Sequence, residues 1–232
     1  MGQSLYEALL RVDTPTVCNS IEVVQGARGF NNFSKKTMYT ADVGLPPIVG
    51  FARTARIRAA EPPTISPDEC KQIRMGYYRY MSEGPRPGVC VIQDIDYPNC
   101  VGSFWGEINN YSHRALGLSG TLTDGLMRDL DALAPNYQVL AGGIGPSHAF
   151  VHVLDYDVRV NVLGLSVAPG DLIHADRHGA VVIPEEVLPD LEGAIETLIA
   201  CENIILNEVK ERERMSFEEF SGLWQKFEQS RT

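Results

Sequence analysis

The sequence has no long apolar run, no excess of positive charge and no paired cysteines, and each absence excludes a class of protein. No stretch approaches the ~20 apolar residues that span a bilayer, so no membrane-crossing helix is expected. Twenty basic against thirty acidic residues leave a net charge of -10. That balance argues against a nucleic-acid partner, whose phosphates require a basic stripe, although one local arginine can still hold a small anion in an acidic protein. The cysteines at 18, 70, 90, 100 and 201 are odd in number and form no C-x-x-C pair. Neither a disulfide framework nor a cysteine-rich zinc site is therefore expected. The N-terminus lacks the basic region and apolar core of a signal peptide, and Tyr6 stands where a myristoylation signal has Ser or Thr. A reducing cytoplasm is the expected compartment.

Common catalytic signatures are missing too. There is no phosphate-binding G-x-x-x-x-G-K-[ST]. Gly142-Gly143-Ile144-Gly145 leads into strand-like sequence rather than a helix, which removes a dinucleotide reading. Gly117-Leu118-Ser119-Gly120 is one residue short of a nucleophile elbow.

What remains is a chain of 232 residues, 44% hydrophobic, long enough for one large domain or two small ones. Asp13 and Pro15 read as the cap and first turn of a helix through Ile21 and Val24. Residues 48–57 alternate as a half-buried strand. Ser66-Pro67-Asp68-Glu69 is a capping box that starts a helix toward Tyr80. Residues 87–95 read as a buried strand, and 103–116 have helical spacing that stops at Gly117. Short strands follow near 119–123, 137–141 and 158–167, then two strands across 168–184 joined at Asp176-Arg177-His178-Gly179. A helix from Glu185 to about Glu213 and a shorter one around 217–227 close the chain. With no repeat or low-complexity linker, the expectation is one α/β domain over 1–232, with its core at about 44–184 and a C-terminal helical arm at 185–232.

Two features of this layout bear on chemistry. Glu202 falls within the apolar stripe Leu188, Leu191, Ile195, Leu198, Ile205 and Val209, so it must find a partner, face a cavity or mark a break in the helix. His148 with His152, and His174 with His178, have i, i+4 spacing. On a helix that spacing can bind zinc, but both pairs lie in strand and turn sequence, where they read as surface or turn histidines.

The densest stretch is 102–133. A turn around Gly106 would expose backbone N–H groups from Gly106 through Ile108 to Asn109, which suits a carboxylate. Further on, Arg128 could clamp an oxyanion and Asp129 a divalent cation. Twenty residues separate Glu107 from Arg128. From spacing alone the plainer reading comes first: a surface ion pair between Arg128 and Asp129, and a solvated Glu107.

Several pieces together resemble the ribonuclease-activity-regulator A (RraA-like) family, which includes class II pyruvate aldolases cleaving 4-hydroxy-4-methyl-2-oxoglutarate and 4-carboxy-4-hydroxy-2-oxoadipate. They are Gly106-Glu107 at a helix start, Gly117 and Gly120, T-D-G-L-M-R-D-L-D at 123–131, and A-P-G-D-L-I-H-A-D-R-H-G-A-V-V-I-P at 168–184, where Ala180 replaces the family's valine. The early strand at 48–57 fits as well. The resemblance implies a swivelling β/β/α fold that self-associates as a trimer or a hexamer, with sites between subunits. It also implies Mg²⁺ or Mn²⁺ on Asp129, and on Glu107 through water. Arg128 would then hold the pyruvyl oxygen of a 2-oxo acid substrate, and the amides of Gly106 to Asn109 its carboxylate. A glutamate of a neighbouring subunit completes the metal shell in such enzymes; Glu208 fits the family pattern and Glu202 is the rival from periodicity. The family's ribonuclease-inhibiting members have glycine where Glu107 stands and an acid three residues after the aspartate, where this chain has Ala132.

Retro-aldol cleavage must stabilise charge on the C2 oxygen and remove the C4 hydroxyl proton. A cation with Arg128 serves the first need, and a metal-polarised water near Glu107 the second. No lysine lies in the cluster, which disfavours a Schiff base. The expected activity is a metal-dependent carbon–carbon lyase releasing pyruvate, with oxaloacetate decarboxylation as a side activity. Three alternatives stand beside it: an enzyme for another oxo or hydroxy acid, a protein-binding regulator of ribonuclease activity, and an inactive structural oligomer.

Overall fold

The computed structural model describes residues 1–230. Two N-terminal helices, α1 (Gln3–Arg11) and α2 (Thr14–Gln25), precede strands β1 (Tyr39–Thr40) and β2 (Ile48–Arg58). Helix α3 (Pro67–Ser82) leads to β3 (Gly88–Asp94) and β4 (Ser103–Trp105), and α4 (Glu107–Ala115) to β5 (Leu118–Thr123) and β6 (Leu126–Met127). Then come β7 (Gln138–Ala141), β8 (Gly143–Ile144), β9 (His152–Tyr156), β10 (Val160–Val162), β11 (Leu165–Val167), β12 (Leu172–Asp176) and β13 (Gly179–Ile183). Helices α5 (Leu188–Val209) and α6 (Phe217–Ser230) close the described chain.

The main sheet has eight strands in the order β1-β7-β5-β3-β2-β12-β13, with β9 also paired to β2. Its centre, β2-β3-β5-β7, is parallel, while β12 and β13 run antiparallel to their neighbours. The mixed α/β architecture follows from what each sheet face buries. On one face Ile48, Ala52, Val89, Val91, Leu122 and Leu140 pack against Val160, Val162 and Leu165 of the β10–β11 hairpin. On the other, Cys90, Ile92 and Val139 pack against Tyr77 and Met81 of α3, and against Trp105 and Met127. A third cluster joins Leu5, Leu9, Val17 and Ile21 of α1 and α2 to Leu172, Val181, Leu191 and Ile195. Strands buried on both faces lose clean alternation, and β2 accordingly opens with three buried residues in a row.

Local signals behave as their chemistry demands. The Asp13 carboxylate accepts from the Thr16 amide, and Ser66 and Glu69 form the reciprocal capping box. The strand expected over 158–167 is a hairpin, because Leu163 and Gly164 both adopt positive φ, as a two-residue turn between twisted strands requires. The helix expected over 103–116 is shorter. Residues 103–105 pair with β6 in a small parallel sheet, β4-β6-β8, where Ser103 and Trp105 are buried, and the helix starts only at Glu107. Likewise α5 ends at Val209, ahead of the expected Glu213. His174 is no surface histidine: it lies buried on β12, bonded to Thr14 Oγ1 and the Leu9 carbonyl. His178 does sit in the turn, beside Asp176. No described helix is long and apolar enough to cross a membrane, and all five cysteines are free.

Candidate functional site

The carboxyl ends of β3, β5 and β7 point toward the small β4-β6-β8 sheet, the end of a parallel sheet where ligands ordinarily bind. Two turns meet there. One leaves β4 through Gly106 into α4; the other leaves β6 through Arg128 and Asp129. The Arg128 amide donates to the Trp105 carbonyl at 2.7 Å, which holds the turns side by side.

Asp129 takes a left-handed conformation, φ 55° and ψ 41°, a region in which aspartate is tolerated better than most residues. In that conformation its Oδ2 accepts the Glu107 backbone N–H at 3.1 Å. A carboxylate thus already sits at the α4 N-terminus, where the helix dipole favours it. The fit depends on a residue without a side chain at 106, because a Cβ there would lie 2.6 Å from Asp129 Oδ2 and 3.0 Å from Arg128 Nε. Arg128 Nε stands 3.8 Å from Asp129 Oδ2, with both side chains only about a third exposed (36% and 38%). The ion pair of the plainer sequence reading therefore exists. It lines a cavity rather than open surface.

That cavity has a volume of about 540 Å³ and is walled by Gly106, Glu107, Ile108, Asn109, Arg128 and Asp129 together with residues of α3 and of the 148–153 segment. The residues expected to act together from three sequence signals therefore share one wall. The Asn109 side chain donates to the Phe104 carbonyl and accepts from the Tyr78 hydroxyl, so it braces the turn. Behind it, His113 Nδ1 lies 2.7 Å from the Asn109 carbonyl and its Nε2 contacts the Tyr77 hydroxyl. A carbonyl only accepts, so Nδ1 carries the proton and Nε2 receives one from Tyr77. Burial pushes the His113 pKa down to about 4, which keeps the ring neutral.

The C-terminal glutamates stand apart from this wall. Glu208 pairs with Arg212 at 3.1 Å. Glu202, half-buried, faces a different cavity between α2, α5 and α6, one of the outcomes open to an acid in an apolar stripe. Neither lines the cavity of Arg128.

Sequence reasoning does not find Cys70, Arg74 and Tyr78, which line the cavity from α3. Their spacing of four puts them on one helix face, a signal legible once α3 is known to cover the site. His148 and His152 both reach the cavity wall, although among the described residues no three His, Cys, Asp or Glu side chains are grouped to hold a metal ion.

Comparison with known proteins matches residues 14–182, more than half of the chain, to the family model described as RraA-like: Aldolase/RraA. An uncharacterized protein of Methanocaldococcus jannaschii, MJ0644, is 34% identical over 113 residues, 48% of this chain and 51% of that protein. Protein DlpA of Legionella pneumophila is 27% identical over 117 residues, 48% of this chain and 18% of its own length. The matched part thus spans about half of one relative and less than a fifth of the other. Among solved structures, an uncharacterized protein from Pseudomonas syringae pv. tomato str. DC3000 superposes with a TM-score of 0.70 at 20% identity, over 100% of this chain and 94% of that one. Streptomyces coelicolor RraAS2, an unusual member of the RNase ES inhibitor RraA protein family, gives a TM-score of 0.65 at 21% identity, over 91% and 98%. At these identities the structural likeness is one of fold.

Proposed function

The chain belongs to the RraA-like (Aldolase/RraA) family, and from that premise we propose that it is a divalent-metal-dependent carbon–carbon lyase, cleaving a 4-hydroxy-2-oxo acid such as 4-hydroxy-4-methyl-2-oxoglutarate to release pyruvate. The observation that carries this reading is the convergence of Glu107, Arg128 and Asp129 around the α4 N-terminus, on the wall of one cavity.

The donor set fits Mg²⁺ or Mn²⁺. Both candidate ligands are hard carboxylates, and Asp129 commits only Oδ2 to the Glu107 amide. Magnesium typically keeps several waters and takes one or two protein carboxylates, so Asp129 directly and Glu107 through water suffice from one chain. If Glu208 or Glu202 completes the shell, it does so in a neighbouring copy, since neither lines its own chain's cavity. Self-association as a trimer or hexamer belongs to this reading, as does a cytoplasmic location.

A divalent cation, when bound, supplies Lewis-acid polarisation of the 2-oxo group. The chain's own groups do the rest. The α4 amides of Ile108 and Asn109 orient the carboxylate of the 2-oxo acid. Arg128 holds the C2 oxygen and balances the charge that builds there as the C3–C4 bond breaks. Glu107 receives the C4 hydroxyl proton through a water; C4 departs as a carbonyl, the bond's electron pair passes to C3, and the proton returned to C3 yields pyruvate. The cavity wall contains no lysine, so the chemistry needs no Schiff base. Loss of carbon dioxide from oxaloacetate passes through the same enolate and is expected as a side activity.

Coupled pyruvate release from 4-hydroxy-4-methyl-2-oxoglutarate and from oxaloacetate, with Mg²⁺ and with chelator, tests the reading. Chelator-sensitive release from the aldol substrate is expected. Release from oxaloacetate alone would move the substrate elsewhere, and release from neither would overturn the lyase in favour of a ribonuclease regulator, to be sought by pull-down.

A further inference from the structure

The Glu107, Arg128 and Asp129 end accounts for only part of the cavity. The rest of its wall comes from α3, through Arg74 and Tyr78, and from the 148–153 segment, through His148 and His152. Among the described residues two arginines and two carboxylates line the cavity; Asp129 stands beside Arg128 and accepts the backbone amide of Glu107. Arg74 forms no ion pair among the described residues, whereas Arg56, Arg58 and Arg212 each have an acidic partner.

The wall around Arg74 is held in place. The Tyr78 hydroxyl, one turn along α3, donates to Asn109 Oδ1 at 3.1 Å and so ties α3 to the α4 turn. Burial raises the Tyr78 phenol pKa, and the Arg74 charge acts against it. The 148–153 segment is pinned by the Ser103 amide on the Ser147 carbonyl at 2.7 Å and the Phe150 amide on the Ala59 carbonyl at 3.1 Å. Gly102 permits this approach, since a Cβ there would sit 2.6 Å from the His148 carbonyl oxygen.

The histidines do not duplicate the arginine. His148 Nδ1 lies 2.7 Å from the Ala149 carbonyl and His152 Nδ1 2.7 Å from the Phe150 carbonyl. Each Nδ1 is therefore a donor, and in the neutral ring each Nε2 is an acceptor suited to a hydroxyl, not to a carboxylate. Among the described residues Arg74 supplies the one fixed positive charge of this wall.

We propose that Arg74 is the specificity-determining residue of a distal subsite, which selects 2-oxo acids carrying a second carboxylate at the end remote from the pyruvyl group. The inference rests on the lyase reading, because that reading sets which end of the substrate meets Arg128. A guanidinium facing a carboxylate makes a charge-assisted hydrogen bond, and removing one partner ordinarily costs about tenfold or more in affinity.

The test is calorimetric binding to the full chain with Mg²⁺, using two non-cleavable five-carbon probes, 2-oxoglutarate and 2-oxopentanoate, which differ in the second carboxylate. The wild type is expected to bind 2-oxoglutarate about tenfold or more tightly. Arg74→Gln should bring 2-oxoglutarate down to the level of 2-oxopentanoate and leave 2-oxopentanoate unchanged. Arg74 is exposed on α3, and an unchanged melting temperature would show the variant folded. Equal binding of both acids by the wild type, or equal weakening of both in the variant, would overturn the subsite and leave the 2-oxo acid site standing. Failure to bind either acid would overturn that site and the subsite with it.

Discussion

Asp124 and Asp129 are five residues apart in one segment, and the fold makes different groups of them. Asp124 is buried at the carboxyl end of β5, where its Oδ1 accepts the Asp94 amide at 2.6 Å. Burial, with the Asp94 charge adding to it and the Asp94 amide opposing, pushes its pKa up to about 7. Asp129 lies past β6 in a left-handed turn, more than a third exposed, with one oxygen on a helix amide and the cavity in front of it. A carboxylate that water reaches can stay charged and take a cation; one enclosed by strand ends is held by the cost of desolvating its charge. Acidity alone does not distinguish them.

The largest effect should come from Asp129→Ala, which removes the proposed direct metal ligand. Metal-dependent pyruvate release should fall on the order of 10³-fold or more, while Asp124→Asn, which keeps an acceptor for the Asp94 amide, should retain most activity. Equal losses in the two variants would erase the contrast. Gly106→Ala should come next. Its Cβ would lie 2.6 Å from Asp129 Oδ2 and displace the carboxylate, lowering turnover about 10²-fold with little change in melting temperature, because residue 106 needs no positive φ.

The smallest effect concerns pH. The folded chain holds a proton on Asp124 up to a pH of about 7, whereas the unfolded chain has released it near 3.8. Stability must therefore fall as pH rises across that window. Buried His113 and His174, with lowered pKa values, act the opposite way below 6.5, where the unfolded chain takes up protons that they refuse. The two contributions overlap and oppose each other around neutral pH, so the Asp124 part is read as the difference between the wild type and a variant that has no carboxyl there. In thermal melts the wild type should lose stability relative to Asp124→Asn as pH rises toward about 7, and the difference should level off above it. A difference that stays constant with pH would remove Asp124 as its source.

The fold is legible in the sequence wherever its signal is local. The Ser66 capping box, the Asp13 cap and the turn at Asp176–Gly179 each depend on a few adjacent residues, and each stands where their chemistry puts it. Helix α1 is not legible in this way although Leu5, Ala8 and Leu9 bury one face, because nine residues make a weak periodic signal. Strand β9 is hidden because it is half-buried and pairs only with β2 across a register shift. Residues 103–105 read as helix for a similar reason: three residues carry too little periodicity to separate a strand from the helix that follows.

The site divides along the same line. From spacing alone Glu107, Arg128 and Asp129 read as a solvated acid and a surface ion pair, and it is the resemblance to the RraA-like family that singles them out as a site. Their convergence, and the arrival of Arg74, Tyr78, His148 and His152 at the same cavity, depend on how β4 pairs with β6 and on how α3 and the 148–153 segment pack over them. Those contacts join residues far apart in the chain, so their energies depend on burial and backbone approach that no local pattern encodes. The same separation decides which aspartate meets water and which is closed behind the strands.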